Sequence, residues 1–531
     1  MAMQPSRYAA PASAIAAPGW QLKRLTPPSR LYGANGIRTG ADGRIYVAQV
    51  AGSQISAVHP DTGAIATISP LGGDVIAPDD LAFDEFGNIY ATEITENRVS
   101  MLQPNGTYRV ITGDIPVANP VTYHQGRLIA GELRMGARIL ELDRDGGAPR
   151  VILDNVPMAN AFEVGPDGKL YFPAQAANEI WRVSLEGGQP EVVATGLGVP
   201  DSVKFDSKGF IVSTQVGSGQ VLRIDPRNGS KTVLAQLTPG LDNVTFLDER
   251  IFVSSGTGFI VEILGEGKTR EIVPDGFIWP LGLAMGEDEV LYICDGGTSY
   301  TIAPGAERQN AGNFFSAGYP GYARGVVAAG PGEYIVTTGT GAVARFWPTE
   351  LRSECLAEGL DQLYGVAIGP GGAVLVAELG TGRLLSVGGA TVETLAVGLD
   401  RPKGVAVGPD GTCYIAEAGA GRVVKLAGGG TEIVVDGLAA PNGILVRQDK
   451  LYVVDAGNKD LIEFNLATGT RSQIAANLPV GDPPGVTPKY IGPIGTFSGP
   501  MGLFAAIAGG PDGALYVSGD AEGSIIVVRP A

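Results

Sequence analysis

The chain has 531 residues, too many for one ordinary domain, with 79 glycines, 37 prolines and 7% aromatic residues. A formal charge of −17 argues against nucleic acid or an anionic membrane as partner, and no apolar run reaches membrane-spanning length. Three cysteines at unpatterned spacing, Cys294, Cys355 and Cys413, favour free buried thiols over a disulfide framework.

Residues 1–19 are rich in Ala and Pro and lack a continuous apolar stretch after Arg7. They predict a disordered lead rather than a signal peptide, with the cytoplasm as default compartment. A spare β run, residues 21–26, stands ahead of any repeat. Related units then begin near residues 35, 79, 119, 160, 201, 242, 281, 324, 364, 403, 442 and 501. The clearest, residues 402–435, reads PKGVAVGPDGTCYIAEAGAGRVVKLAGGGTEIVV, four short β runs with a Pro-Asp-Gly turn after the first. Four antiparallel strands in about forty residues make one propeller blade.

The expected fold is therefore all-β. Twelve blades in one ring would exceed the usual four to eight or so, which points to two tandem six-bladed propellers, residues 20–265 and 266–531. The last repeat lacks a fourth run. Residues 21–26 are expected to complete the sixth blade, freeing residues 269–273 for the twelfth, so that each ring closes without an exposed edge. The rival is a single strand crossing between the rings.

At the start of the first strand, where each blade meets the central channel, the first six repeats carry Asn35, Asp79, Asn119, Asn160, Asp201 and Asp242, at steps of 44, 40, 41, 41 and 41 residues. The second six carry Leu281, Arg324, Tyr364, Lys403, Asn442 and Met501. Asn and Asp also favour Asx-turns before strands, but the second half shares the scaffold and has only one such residue. Three carboxylates and three amides at one mouth would repel without a cation, and their oxygens suit calcium or another divalent ion. Such an ion can be structural, or can polarise a carbonyl or phosphoryl oxygen beside a carboxylate base.

The repeats PDDLAFDEFGNIYATE and PNGILVRQDKLYVVDAGN resemble the six-bladed calcium propellers of the regucalcin/gluconolactonase group, related to paraoxonase-like lactonases, strictosidine synthase-like proteins and NHL-repeat proteins. GLDNVTF, with Asp242 and Asn243, is similar to the paraoxonase Asp-Asn calcium segment. The resemblance implies Asn119, Asn160 and Asp201 or Asp242 as ligands, with Asp201 or Asp242 as the reactive carboxylate. It also implies a first-blade Glu, where this chain has Asn35; Asp79 is the candidate to replace that charge.

Only two histidines occur, His59 and His124, both away from the mouth, which disfavours a His base or a His-rich zinc site. A second set of acids ends the second strands in both halves, Glu93, Glu132, Glu378, Glu417 and Asp455. Gln49, Gln175 and Gln215 stand in step with them. The recurrence points to a structural role, with Glu93, Glu132 and Asn243 as candidate pocket walls.

The second half offers a rival site. Two long segments, residues 296–323 and 476–499, carry Phe314, Phe315, Tyr319, Tyr322, Lys489, Tyr490 and Phe497 and should overhang Arg324, Tyr364, Lys403 and Asn442. A basic, aromatic pocket of this kind suits an anionic organic ligand. The leading expectation is a calcium-assisted hydrolase of a lactone or related ester, acting on a small molecule without an organic cofactor. The alternatives are a metal-independent lyase or isomerase on the second ring, and a non-catalytic NHL-like binding module.

Overall fold

The structure, a computed structural model, describes residues 6–10, 12–265, 267–389 and 391–531. Among the described residues there are strands, turns and four one-turn 3-10 segments, and no helix long and apolar enough to cross a membrane. The strands form twelve antiparallel sheets in chain order, eleven of four strands and one of five. Each follows the hairpin logic of its repeat. In the tenth, Pro402–Val407 pairs with Cys413–Glu417 across the Pro-Asp-Gly turn, then with Arg422–Ala427 and Gly430–Val435 in sequence. The inner strands bury both faces between neighbouring sheets, whereas the outermost strands alternate or stay exposed.

Two compact units divide the chain. One holds Arg30–Gly276 together with Pro488–Gly495; the other holds the residues up to Ser29, Phe277–Thr487 and Thr496–Ala531. In the second of these, the innermost strand of each sheet touches the next, and Ile507–Gly509 touches Leu283–Met285, so the series returns to its start. In the 30–276 unit, Leu241–Leu247 packs on Ile37–Thr39 in the same way.

Glycine permits this approach. A Cβ on Gly282, Gly325, Gly365 or Gly404 would stand 2.1–2.4 Å from the carbonyl oxygen at the start of the next sheet. The dipeptides Arg324-Gly325, Tyr364-Gly365 and Lys403-Gly404 therefore place a mouth side chain and a packing glycine side by side.

Strand closure differs from the sequence expectation. Trp20–Arg24 pairs with Ser524–Pro530 and completes the twelfth sheet, while Lys268–Val273 stays in the sixth beside Ile260–Gly265. The crossing alternative holds: the N-terminal strand belongs to the C-terminal unit, and residues up to 276 remain with the other. Trp20 and Leu22 pack against the core of the eleventh and twelfth sheets, an apolar contact that favours this pairing. The lead is also more engaged than expected. Ile15–Ala16 adds a strand beside Arg471–Ala476, and the Arg7 guanidinium donates to the Phe277 and Ala521 carbonyls at 3.0 and 3.1 Å. The rest of that expectation, residues 1–5 and 11, lies outside the described residues.

Two further corrections concern the second half. Residues 296–323 are not one loop but hold strands Thr298–Ile302 and Gln309–Asn313, joined and followed by turns. The twelfth inner strand is Ile507–Gly509, and the Ala505 carbonyl accepts from Gly443, so Ala505 rather than Met501 stands at the mouth position. Cys294 and Cys413 are buried as expected, whereas Cys355 is exposed; all three are free thiols.

Candidate functional site

Hydrogen bonds join five of the six Asn/Asp residues of the 30–276 unit in two groups, Asn119–Asn160–Asp201 and Asn35–Asp242. Asn119 Nδ2 donates to Asn160 Oδ1 at 3.2 Å, and Asn160 Nδ2 donates to Asp201 Oδ2 at 2.9 Å. On the other side, Asn35 Nδ2 donates to Asp242 Oδ2 at 3.3 Å. Asn119, Asn160 and Asp201 are buried; Asn35, Asp79 and Asp242 are half-buried. Each lies where the chain enters an innermost strand, so a side chain repeated every forty residues reaches the same axis from a different sheet.

Two residues outside the Asn/Asp ladder belong to this set. Asp80, 1% exposed, accepts from the Val121 backbone at 3.1 Å and from Asn243 Nδ2 at 3.4 Å, one layer below the mouth. The doublet Pro78-Asp79-Asp80 was its signal: a second acid where other repeats carry Gly36, Pro120, Ala161 or Ser202. Gln175 is the second. Its Nε2 donates to Asp201 Oδ2 at 3.1 Å, so that one oxygen of Asp201 receives two amides.

The electrostatics follow from four acids in one dry mouth. Burial, and then the neighbouring Asp80, push Asp79 up to about 7. Burial raises Asp201 well above the carboxylate range, with Asp79 adding to it. Asp242 is raised likewise by burial, then by Asp201, Asp79 and Asp80. Deeper in the channel, burial and then Arg38 lower Lys204 to about 8.

A divalent cation is the group this set suits. Asn119 Oδ1 is buried with no hydrogen-bond partner, an acceptor left open beside carboxylates that oppose one another. Among the described residues, no group of three or more His, Cys, Asp or Glu side chains is spaced to hold an ion. An ion here would rest on a mixed set, amide oxygens with one or two carboxylates, which is the oxygen chemistry calcium accepts.

Other candidates are placed elsewhere. Glu93, fully buried, accepts from the Ile76 backbone at 3.1 Å, Arg98 Nε at 2.8 Å and Tyr108 at 2.7 Å. Glu132 accepts from Arg134 Nε at 2.9 Å and Arg138 Nε at 2.7 Å. Both brace loops, as Glu378, Glu417 and Asp455 do. His59 Nδ1 accepts from Asp61 within its turn.

Arg324, Tyr364, Lys403 and Asn442 do meet in the other unit. The Arg324 guanidinium lies 4.8 Å from the Tyr364 ring centroid, and Lys403 Nζ donates to Asn442 Oδ1 at 3.1 Å. The chain itself covers them: Arg324 donates to the Pro500 carbonyl, Lys403 to the Leu503 carbonyl at 2.8 Å, and Phe504 packs on Tyr364. Phe314 packs on Tyr319, Tyr322 and Phe497 rather than lining an open pocket. Lys489 and Tyr490, expected over this mouth, fall in the segment that clusters with the 30–276 unit, where Lys489 donates to Asp74 at 3.2 Å.

Residues 40–255 match the family described as SMP-30/Gluconolactonase/LRE-like region. No curated protein matches the chain by sequence. Among solved structures it is similar to a virginiamycin B lyase from Staphylococcus aureus, 18% identical, over 54% of this chain and 96% of that one, with a TM-score of 0.39. It is also similar to a gluconolactonase from Xanthomonas campestris, 15% identical, over 48% and 96% of the two chains, with a TM-score of 0.39.

Proposed function

We propose that the chain is a pair of six-bladed propellers and that the 30–276 unit is a divalent-cation-assisted hydrolase of a lactone or related ester. One observation carries the site: Asn119 Oδ1, buried and unpartnered, stands in the same mouth as three carboxylates raised by burial and mutual repulsion. The match of residues 40–255 to the gluconolactonase-like family supports the substrate class. Calcium, held by Asn119, Asn160, Asp201 and Asp242, would polarise a lactone carbonyl.

The residues divide the remaining work. Asp201 is oriented by Asn160 and Gln175, which fits a fixed ligand. Asp242 is half-buried and has one amide contact, from Asn35, which leaves it free to accept a proton from an attacking water. Asn243 Nδ2 donates to Asp80 Oδ1 at 3.4 Å one layer beneath.

The test is a lactone and aryl-ester panel assayed with and without chelator. The reading requires turnover that a chelator removes and calcium restores, and that Asp242→Asn lowers by about a hundredfold or more, the size of a general-base contribution. Turnover indifferent to both would refute it.

A further inference from the structure

The C-terminal unit has a central channel of the opposite character. Its wall is a ring of six apolar side chains, one from each sheet: Leu283, Val326, Val366, Val405, Ile444 and Ile507. Toward the far ends of the strands it opens into a cavity of about 420 Å³. The next tier there, including Met285, Ile368 and Val407, is half-exposed. Toward the mouth the channel shrinks to about 40 Å³ beneath Phe504, where the packing glycines draw the strands together. The channel is lined by apolar side chains with main-chain polar groups between them, and it is wider toward the far ends of the strands than at the mouth.

Arg447 is the one charged residue among those lining the cavity. Its recorded hydrogen bond is a long one, Nη1 to the Ala514 carbonyl at 3.5 Å, and among the described residues it makes no ion pair. In a chain with 55 acidic residues against 38 basic ones, a guanidinium without a carboxylate beside an apolar cavity is an unspent anion contact. The ring of six apolar side chains offers an alkyl chain apolar surface to cover. The volume lies within the range of small-molecule sites, roughly 300–1,000 Å³, which combine apolar walls with a few placed polar groups.

We propose that this channel binds a medium-chain linear carboxylate, its alkyl chain along the apolar ring and its carboxylate on Arg447. The site is separate from the Asp/Asn mouth and does not rest on the hydrolase reading.

Calorimetric titration of the full chain with dodecanoate below its micellar concentration tests this, with octanoate, dodecanol and dodecyltrimethylammonium beside it. One dodecanoate should bind per chain. Octanoate should bind at least tenfold more weakly, since each buried methylene is worth roughly fourfold. Arg447→Gln should weaken dodecanoate about tenfold and leave dodecanol unchanged. Val405→Trp should fill the channel and abolish binding; if that variant fails to fold, Ile368→Glu at the half-exposed tier should abolish dodecanoate binding instead. No dodecanoate binding by folded wild type, equal binding of the ammonium amphiphile, or undiminished binding in the blocked variants would overturn the proposal.

Discussion

Asn160 spans two sheets: its amide donates 2.9 Å to Asp201 while its carbonyl oxygen accepts from Asn119 at 3.2 Å. That bridging geometry leaves Asp201 positioned and the outer oxygen of Asn119 open. The mouth mixes three amides with three acids. Six acids would repel one another more strongly, and six amides would bring no charge to offset a cation.

Gln175 tests the positioning of Asp201. Gln175→Ala removes one of the two amides on Asp201 Oδ2 without touching the cation. Calcium affinity should fall by about ten- to a hundredfold, the usual cost of losing a residue that orients a ligand. Equilibrium dialysis measures it, with an unchanged melting temperature excluding general unfolding.

Glu93 should affect stability alone. It joins a loop backbone, Arg98 and Tyr108. Glu93→Gln should cost about 1–3 kcal/mol in denaturant unfolding and leave calcium affinity unaltered. A loss of ion binding in a folded Glu93→Gln protein would return it to the site.

The packing glycines should be intolerant. An alanine Cβ at Gly404 would stand 2.2 Å from the Asn442 carbonyl, whereas at Gly430 nothing lies within 4 Å. Gly404→Ala should destabilise the C-terminal unit by about 2–3 kcal/mol and Gly430→Ala by less than about 0.5 kcal/mol, read by thermal unfolding.

Asp520 gives a pH dependence. It is fully buried, and burial pushes it up to about 6 from an ordinary 3.8. The folded state therefore keeps a proton that the unfolded chain has already released. Stability from this group is greatest below about pH 4 and declines as pH rises to about 6, by about 3 kcal/mol in all. Asp520→Asn should remove this group's share of the decline, read as a pH-dependent difference between wild-type and variant unfolding free energies from pH 4 to 7 or so, while Asp79, Asp201 and Asp242 keep theirs.

Repeat spacing carried most of the fold, because each sheet is built from one local unit whose turns and alternation are written in forty residues. The Asn/Asp ladder was legible for the same reason. Asp80 was not, and Gln175 was legible only as a structural member of the second-strand set, since the part each plays comes from the neighbours it faces across the channel. Strand closure was not legible either: two spare strands and two incomplete sheets allow either pairing, and the choice falls to Trp20 and Leu22 packing on the last sheets. Ala505 was mistaken for Met501 because MGLFAAIAGG is apolar throughout and offers two registers.

Calcium titration of metal-free protein, wild type beside an Asp201→Asn/Asp242→Asn double variant, tests the central claim most directly. About one calcium per chain in wild type, lost in the folded double variant, is the predicted result. No calcium bound by wild type, or the same binding in both proteins, would contradict an ion at the Asp/Asn mouth.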